Sequence, residues 1–143
     1  VRDQKKITDQ LFEYLESIFV RPISARYICC KNGLPPHHDE SGRTFAYNFI
    51  LDTGGRNVVT RVYDDELKIV QEIICQPKNW YKIPTAEWHS VHGIEPNKTR
   101  IILSVTYHHD QQYGGGGFHP SIKNLDRWLE FNNRHIFKKY GVD

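Results

Sequence analysis

The sequence lacks several features that would define its class at once. No apolar run approaches the roughly 20 residues that a membrane-spanning helix needs, and no signal-like segment opens the chain. Neither sign of charge dominates, because the chain has 19 Lys and Arg residues and 17 Asp and Glu residues, with no long run of either sign. We therefore predict a soluble, cytoplasmic protein with neither a membrane nor a nucleic-acid partner.

Cysteine is equally scarce. Cys29, Cys30 and Cys75 are an odd number, and the two adjacent ones would face opposite sides of a strand. A disulfide framework is therefore not expected. We predict instead that the cysteines are small apolar core residues with reduced thiols, which agrees with a cytosolic setting. Internal repeats are absent as well, so the 143 residues are predicted to form a single domain (1–143) with a core around one pocket.

What the chain does contain is a series of short β-like runs between two helical patterns. Apolar residues at helical spacing in residues 7–19 predict an N-terminal helix that packs its apolar stripe on a sheet. A second apolar pattern after Pro120 predicts a C-terminal helix, whose length and Trp128 are compatible with a homodimer contact. Many short strands parted by turns are typical of a sandwich or barrel. The predicted strands are 25–31, 44–51, 57–63, 67–75, 80–83, 88–91 and 100–108.

The last predicted strand carries an unusual set of polar residues on one face. Alternation places Arg100, Ile102, Ser104 and Thr106 on the same side of the strand. If that side looks inward, the guanidinium needs an anion, and its planar fork matches a carboxylate. Arg100 is therefore predicted to bind a small carboxylate ligand, assisted by Ser104.

A candidate metal site begins at His37. His37 and Asp39 lie two residues apart where a strand is expected to begin, so both would point to the same face. His89, in the sequence Trp88-His89-Ser90-Val91, is the candidate third ligand. Two imidazoles and one carboxylate suit non-haem Fe(II), because they leave positions open for a chelating cosubstrate and oxygen.

Three alternative ligand sets remain open at this point. A shift of one residue would use His38 and Glu40 in place of His37 and Asp39. His92 competes with His89, although it could instead line the pocket. A second His-x-Asp at residues 108–110, followed by the glycine tract 114–117, is interpreted as polar residues at the rim of the sheet.

These motifs together resemble the Fe(II)- and 2-oxoglutarate-dependent oxygenases. The resemblance spans residues 27–107 and rests on the order and spacing of four segments. They are His37-x-Asp39, Arg43-Thr-Phe-Ala-Tyr-Asn48, Trp88-His89-Ser-Val91 and Thr99-Arg100-Ile-Ile-Leu-Ser104. The resemblance implies a mainly β fold, a double-stranded β-helix (jelly-roll, cupin-like), here flanked by an N-terminal and a C-terminal helix. It also implies site residues: His37, Asp39 and His89 on iron, Arg100 on the distal carboxylate of 2-oxoglutarate, and Asn48 and Tyr27 as second-rank contacts to the cosubstrate.

The activity that the resemblance implies is hydroxylation of a substrate C–H bond, using O2 and the oxidative decarboxylation of 2-oxoglutarate to succinate. The substrate would be an amino-acid or peptidyl side chain or a small metabolite.

Two other classes of function compete with this interpretation. A cupin-like metalloenzyme that does not use 2-oxoglutarate would not need Arg100, and a non-catalytic small-ligand binding module would not need the metal ligands.

Overall fold

The part of the chain that the structure describes consists mainly of short antiparallel strands. The computed structural model describes residues 2–19, 23–38 and 46–107. Within these ranges the elements are β1 (Arg2–Lys6), α1 (Asp9–Ile18), β2 (Ile23–Cys30), β3 (Leu34–His37), β4 (Ala46–Asp52), β5 (Val59–Tyr63), β6 (Ile69–Ile73), β7 (Trp80–Ile83), β8 (Trp88–His92) and β9 (Arg100–Tyr107). The strands predicted from the sequence agree with these bounds to within about two residues.

The strands form two antiparallel sheets. The five-stranded sheet has the order β1-β2-β9-β4-β7 and the four-stranded sheet the order β3-β8-β5-β6. From β2 onward the chain crosses between the sheets at almost every connection, and only β5 and β6 follow each other within one sheet. This winding of eight strands into two facing sheets is the jelly-roll arrangement, and it confirms the predicted mainly β, cupin-like fold.

Helix α1 covers the outer face of the five-stranded sheet. The Thr8 hydroxyl caps it by accepting a hydrogen bond from the Leu11 backbone N–H at 3.2 Å. Leu11 and Leu15 stand one turn apart, so both point to the sheet and are fully buried. They pack, as predicted, in a cluster with Ile7, Phe19, Ile23, Tyr27, Cys29, Tyr47, Phe49, Ile101, Leu103 and Val105, which we call the α1 cluster.

Alternation along the strands separates the α1 cluster from the interior between the sheets. Ile101, Leu103 and Val105 of β9 belong to the cluster, whereas Ile102 packs with Ile50 and Cys75 on the other face. This confirms the two faces predicted for β9. All three cysteines are buried and none forms a disulfide, in agreement with the prediction of reduced core residues.

Two elements differ from the sequence-based expectation. Strand β1 was not predicted, because its residues are polar, and it pairs with β2 at the edge of the sheet. Strand β3 was not predicted either, and it contains Pro35 and Pro36, because an edge strand tolerates a missing N–H. The turn before it lies at Asn32 and Gly33, both with positive φ, so His37 ends a strand rather than beginning one.

Some predictions fall on residues outside the described ranges. These are Asp39, the second His-x-Asp, the glycine tract, the C-terminal helix and the dimer contact assigned to that helix. They stay predictions, as do the single-domain organisation and the cytoplasmic location. Among the described residues, no helix has the length and apolar character needed to cross a membrane.

Candidate functional site

A cavity of about 100 Å³ lies between the two sheets. Both sheets contribute side chains to its wall, and several of these are polar although they lie inside the protein. Burying polar groups costs free energy unless they find partners, so a polar interior of this kind indicates a site for a ligand. The polar lining residues are Arg26, His37, Asn48, Thr60, Tyr81, Thr85, His89, Arg100, Ser104 and Thr106.

His37 and His89 meet on the wall formed by the four-stranded sheet. The two residues are direct partners in the register of β3 and β8. Their ring centroids are 4.2 Å apart and their planes are inclined by 55°. Two histidines that are far apart in the sequence are thus brought side by side at the cavity.

The ring nitrogens of the two histidines are held in the same way. His37 Nδ1 lies 2.8 Å from the carbonyl oxygen of Pro35, and His89 Nδ1 lies 2.7 Å from that of Glu87. A carbonyl oxygen can only accept, so Nδ1 must carry the proton in both rings. Nε2 then carries the lone pair, which is the tautomer that a metal-ligating histidine uses.

The third predicted ligand, Asp39, lies outside the described residues. Within those residues, no three His, Cys, Asp or Glu side chains are grouped so that they could hold a metal ion. The structure therefore brings two of the three predicted ligands together, and the assignment of Asp39 stays a prediction. The donor set itself fits a metal, since two imidazoles offer their lone pairs from one wall.

The alternative ligand His38 is placed elsewhere. Its ring packs edge-on against Trp88, with 4.5 Å between the centroids, and it is not part of the cavity wall. Trp88 precedes His89 in β8 and so points to the opposite face of the sheet. This placement favours His37 over the one-residue shift, while Glu40 lies outside the described ranges.

His92 also faces away from the cavity. Its Nε2 lies 2.6 Å from Ser90 Oγ and 3.3 Å from the Tyr63 hydroxyl, and these two oxygens are 2.8 Å apart. We call these three residues the outer cluster. The suggestion that His92 binds the metal or lines the pocket is therefore wrong, because its ring is engaged on the outer face of the sheet.

Arg100 is the most buried cation of the cavity wall, with 6% of its surface exposed. Its Nη2 donates a hydrogen bond to Thr60 Oγ1 at 3.4 Å. Its Nη1 is buried and has no hydrogen-bond partner, and no described carboxylate forms an ion pair with it. A buried guanidinium favours an anionic partner, and the assignment of Arg100 to a carboxylate ligand stays a prediction.

Ser104 and Asn48 line the cavity beside each other. They are direct partners in the register of β9 and β4. Ser104 is buried, and the side-chain oxygen of Asn48 is buried without a hydrogen-bond partner. Both face the same interior as Arg100, as the predicted alternation requires. Their roles toward a cosubstrate stay predictions.

The structure places Tyr27, which was predicted to contact the cosubstrate, away from the cavity. It is fully buried in the α1 cluster, on the face of β2 that points away from the cavity. This burial raises the pKa of the Tyr27 hydroxyl well above its usual range, and a nearby Cys29 thiolate would raise it further. Tyr27 cannot contact a cosubstrate from this position.

Arg26 is the cavity residue that the sequence interpretation missed. It precedes Tyr27 in β2 and therefore points to the other face, where it joins the cavity wall with Ile28 and Cys30. The alternation that placed Arg100 would also have separated Arg26 from Tyr27. What the sequence alone did not reveal is which face of β2 is covered by α1.

Comparisons with known proteins identify no family for this chain. No protein-family model matches the chain, and no curated protein matches it in sequence. Solved structures with a similar shape include the polyketide cyclase RemF from Streptomyces resistomycificus, with a TM-score of 0.45 and 17% identity over 73% of this chain and 63% of that one.

Two further structures are a cupin superfamily protein from Desulfitobacterium hafniense and a mutant of the oxalate decarboxylase OxdC from Bacillus subtilis. The first has a TM-score of 0.42 and 14% identity over 75% of each chain. The second has a TM-score of 0.47 and 14% identity over 81% of this chain and 28% of that one. The RemF match leaves more than a third of that protein's own length uncovered, and none of the three is named as a 2-oxoglutarate oxygenase. With TM-scores this low, the jelly-roll assignment rests on the order of the strands.

Proposed function

We propose that the protein is a non-haem Fe(II)- and 2-oxoglutarate-dependent oxygenase. His37 and His89, together with Asp39, would hold the iron. Arg100 would bind the far carboxylate of 2-oxoglutarate, with Ser104 and Asn48 as additional contacts to it. The substrate would be an amino-acid or peptidyl side chain or a small metabolite that becomes hydroxylated.

The observation that carries the proposal is the buried Arg100 in the same cavity as the histidine pair. A pair of imidazoles with Nε2 lone pairs accounts for a metal, but it gives no reason to bury a guanidinium nearby. The unused Nη1 of Arg100 can donate to a carboxylate oxygen, and Thr60 already holds the other terminal nitrogen. A carboxylate ligand that also reaches the metal would satisfy both features.

The chemistry would be divided between the bound groups and the protein. The oxidant would be O2, activated at the bound iron: one of its atoms would enter the substrate as a hydroxyl group, and the other would enter succinate as 2-oxoglutarate loses carbon dioxide. The backbone carbonyls of Pro35 and Glu87 fix the rings of His37 and His89. The enclosing sheets exclude water, and Arg100 orients the cosubstrate by its far end.

An anaerobic titration tests this proposal. Metal-free protein receives Fe(II) and then 2-oxoglutarate, while the visible charge-transfer absorption of the iron chelate is recorded. We expect a band in the parent, a weaker band in His89→Ala because iron is lost, and a band in Arg100→Gln only at higher 2-oxoglutarate concentration. His92→Gln is the matched control and should behave like the parent, since His92 lies on the outer face.

A second candidate is a cupin-like metalloenzyme that does not use 2-oxoglutarate. The size of the cavity favours it, because about 100 Å³ leaves modest room for both a cosubstrate and a substrate beside a metal. In that case iron binds, 2-oxoglutarate produces no band, and Arg100→Gln changes nothing. If Fe(II) does not bind at all, a non-catalytic binding module takes over, and Asp39→Ala should then leave ligand affinity intact.

A further inference from the structure

Arg100 stands where the register between β4 and β9 ends. On its β2 side it pairs with Cys30, whereas the last pair that the described strands β4 and β9 form at this end is Asp52 with Ile101. On the β4 side, Arg100 is therefore next to the loop that follows β4. We call residues 53–58 the β4–β5 loop.

Gly54 of the β4–β5 loop packs directly on the backbone of Arg100. A Cβ atom at residue 54 would lie 3.0 Å from the Arg100 nitrogen, 3.1 Å from its Cβ and 3.2 Å from its Cα. Gly54 also has a φ of +83°, a backbone conformation that favours glycine. Any other residue at this position would be strained and would press on Arg100. The close contact thus fixes where the backbone of Arg100 lies.

The loop that precedes Arg100, residues 93–99, holds Gly54 in this contact. We call it the β8–β9 loop. The Glu95 backbone N–H donates a hydrogen bond to the Gly54 carbonyl oxygen at 2.9 Å, and Glu95 Oε2 accepts one from the Arg56 backbone N–H at 2.6 Å. Glu95 therefore binds the β4–β5 loop through both its backbone and its side chain, and the two loops form one unit around Arg100.

The guanidinium of Arg100 is held at the other wall of the cavity. Its Nη2 donates to Thr60 Oγ1, and Thr60 is the second residue of β5, directly after the β4–β5 loop. Thr60 pairs with Val91 of β8, which is two residues, or about 7 Å, along the strand from His89. The position of Arg100 therefore sets the distance between its guanidinium and the histidine pair, which a ligand that reaches both must match.

We propose that Gly54 and Glu95 are positioning residues for the ligand site at Arg100. The inference rests on the proposed function, in which Arg100 binds the far carboxylate of 2-oxoglutarate. Glu95 holds the β4–β5 loop, and Gly54 fixes the backbone of Arg100. A carboxylate bound by two parallel hydrogen bonds tolerates little displacement of the guanidinium. Gly54 and Glu95 thereby determine how strongly a 2-oxo acid with a far carboxylate is preferred over one that lacks it.

Two 2-oxo acids of equal chain length test the assignment. 2-Oxopentanoate is 2-oxoglutarate with a methyl group in place of the far carboxylate, so the ratio of the two affinities reports the contact at Arg100. Anaerobic titration of the Fe(II)-loaded protein should give a ratio of about tenfold or more in the parent and about one in Arg100→Gln. In Gly54→Ala the ratio should fall to about a third of the parent value or less, while the affinity for 2-oxopentanoate stays within about twofold.

Two further variants separate positioning from general damage to the fold. Glu95→Ala loosens the β4–β5 loop without adding atoms beside Arg100, so it should also lower the ratio, and it decides the question if Gly54→Ala does not fold. Gly33→Ala is the matched control, because Gly33 has the same φ of +83° but its Cβ would meet the Val91 carbonyl oxygen. Backbone strain alone changes both affinities together, so Gly33→Ala should keep the parent ratio.

The possible failures are distinguishable. A ratio that survives in both Gly54→Ala and Glu95→Ala, or that falls equally in Gly33→Ala, would overturn the positioning role while Arg100 keeps its ligand. If the parent itself shows no preference for 2-oxoglutarate, Arg100 does not bind the far carboxylate, and the proposed function fails together with this inference.

Discussion

Strand β9 supplies alternate residues to two very different regions of the molecule. Toward α1 it presents Ile101, Leu103 and Val105, which are fully buried among other apolar side chains. Toward the cavity it presents a guanidinium and hydroxyl groups from Arg100, Ser104 and Thr106. One strand thus separates an apolar region that stabilises the fold from a polar cavity wall, where we propose that a ligand binds.

The two histidines of β8 repeat this contrast on the other sheet. His89 points into the cavity, and its Nδ1 donates to a backbone carbonyl. His92 points outward, and its Nε2 contacts Ser90 and Tyr63. The face of the strand distinguishes a candidate ligand from a structural histidine, although the two residues belong to the same strand.

The largest effect on stability is expected from the α1 cluster. Leu15→Ala should lower the free energy of unfolding by about 3 kcal/mol, because a fully buried leucine is replaced and a cavity remains. Urea denaturation measures the loss. The exposed neighbour Glu16→Ala is the control, with an expected change of about 0.5 kcal/mol or less. Similar losses for both would show that α1 does not pack on the sheet as described.

The largest effect on metal binding is expected at His89. His89→Ala should weaken Fe(II) binding by about 100-fold or more, because direct ligands matter at least as much as their hydrogen-bond partners. His92→Gln should keep the parent affinity. Anaerobic titration with Fe(II) compares the two variants. Equal losses would remove the distinction between the inner and the outer face of β8.

Much of this contrast could be predicted from the sequence, because a strand has a period of two. The two faces of β9 followed from alternation alone, and so did the placement of Arg100 and Ser104 on the same face. The same alternation would have excluded His92 as a metal ligand, because His92 lies three positions after His89 in the strand and so points to the opposite face. The prediction that His37 and His89 lie together came from the order and spacing of the motifs. In the structure the two residues are partners in the register of β3 and β8.

The failures also have physical causes. Tyr27 was placed at the cosubstrate by family resemblance, although the structure puts its neighbour Arg26 at the cavity. The sequence could not say which face of β2 is covered by α1, because apolar residues occur on both faces. Strand β1 has no alternating pattern, since as an edge strand it is stabilised by pairing with β2 rather than by apolar burial.

The outer cluster provides a smaller test of the same contrast. Tyr63→Phe removes the hydroxyl that lies 2.8 Å from Ser90 Oγ and 3.3 Å from His92 Nε2. Loss of these buried hydrogen bonds should cost about 1 kcal/mol of folding free energy and leave Fe(II) affinity unchanged. Thermal unfolding and iron titration of the same preparation separate the two readouts. A loss of iron binding without a loss of stability would contradict the structural role of this cluster.

The smallest effect concerns Tyr27 and appears only in alkaline solution. Burial raises the pKa of this hydroxyl in the folded protein above the value of about 10 that it has when unfolded. The unfolded chain therefore loses the proton first, so the contribution of Tyr27 to stability is complete below about pH 10 and declines as the pH rises further. At pH 10.5 the parent should have lost about 0.8 kcal/mol from this group, and Tyr27→Phe should lack that part of the decline. Denaturant unfolding of both proteins at pH 8 and pH 10.5 measures the difference, with each protein's value at pH 8 as its own reference. Parallel declines would mean that Tyr27 titrates at its ordinary pKa and is not enclosed between α1 and the sheet.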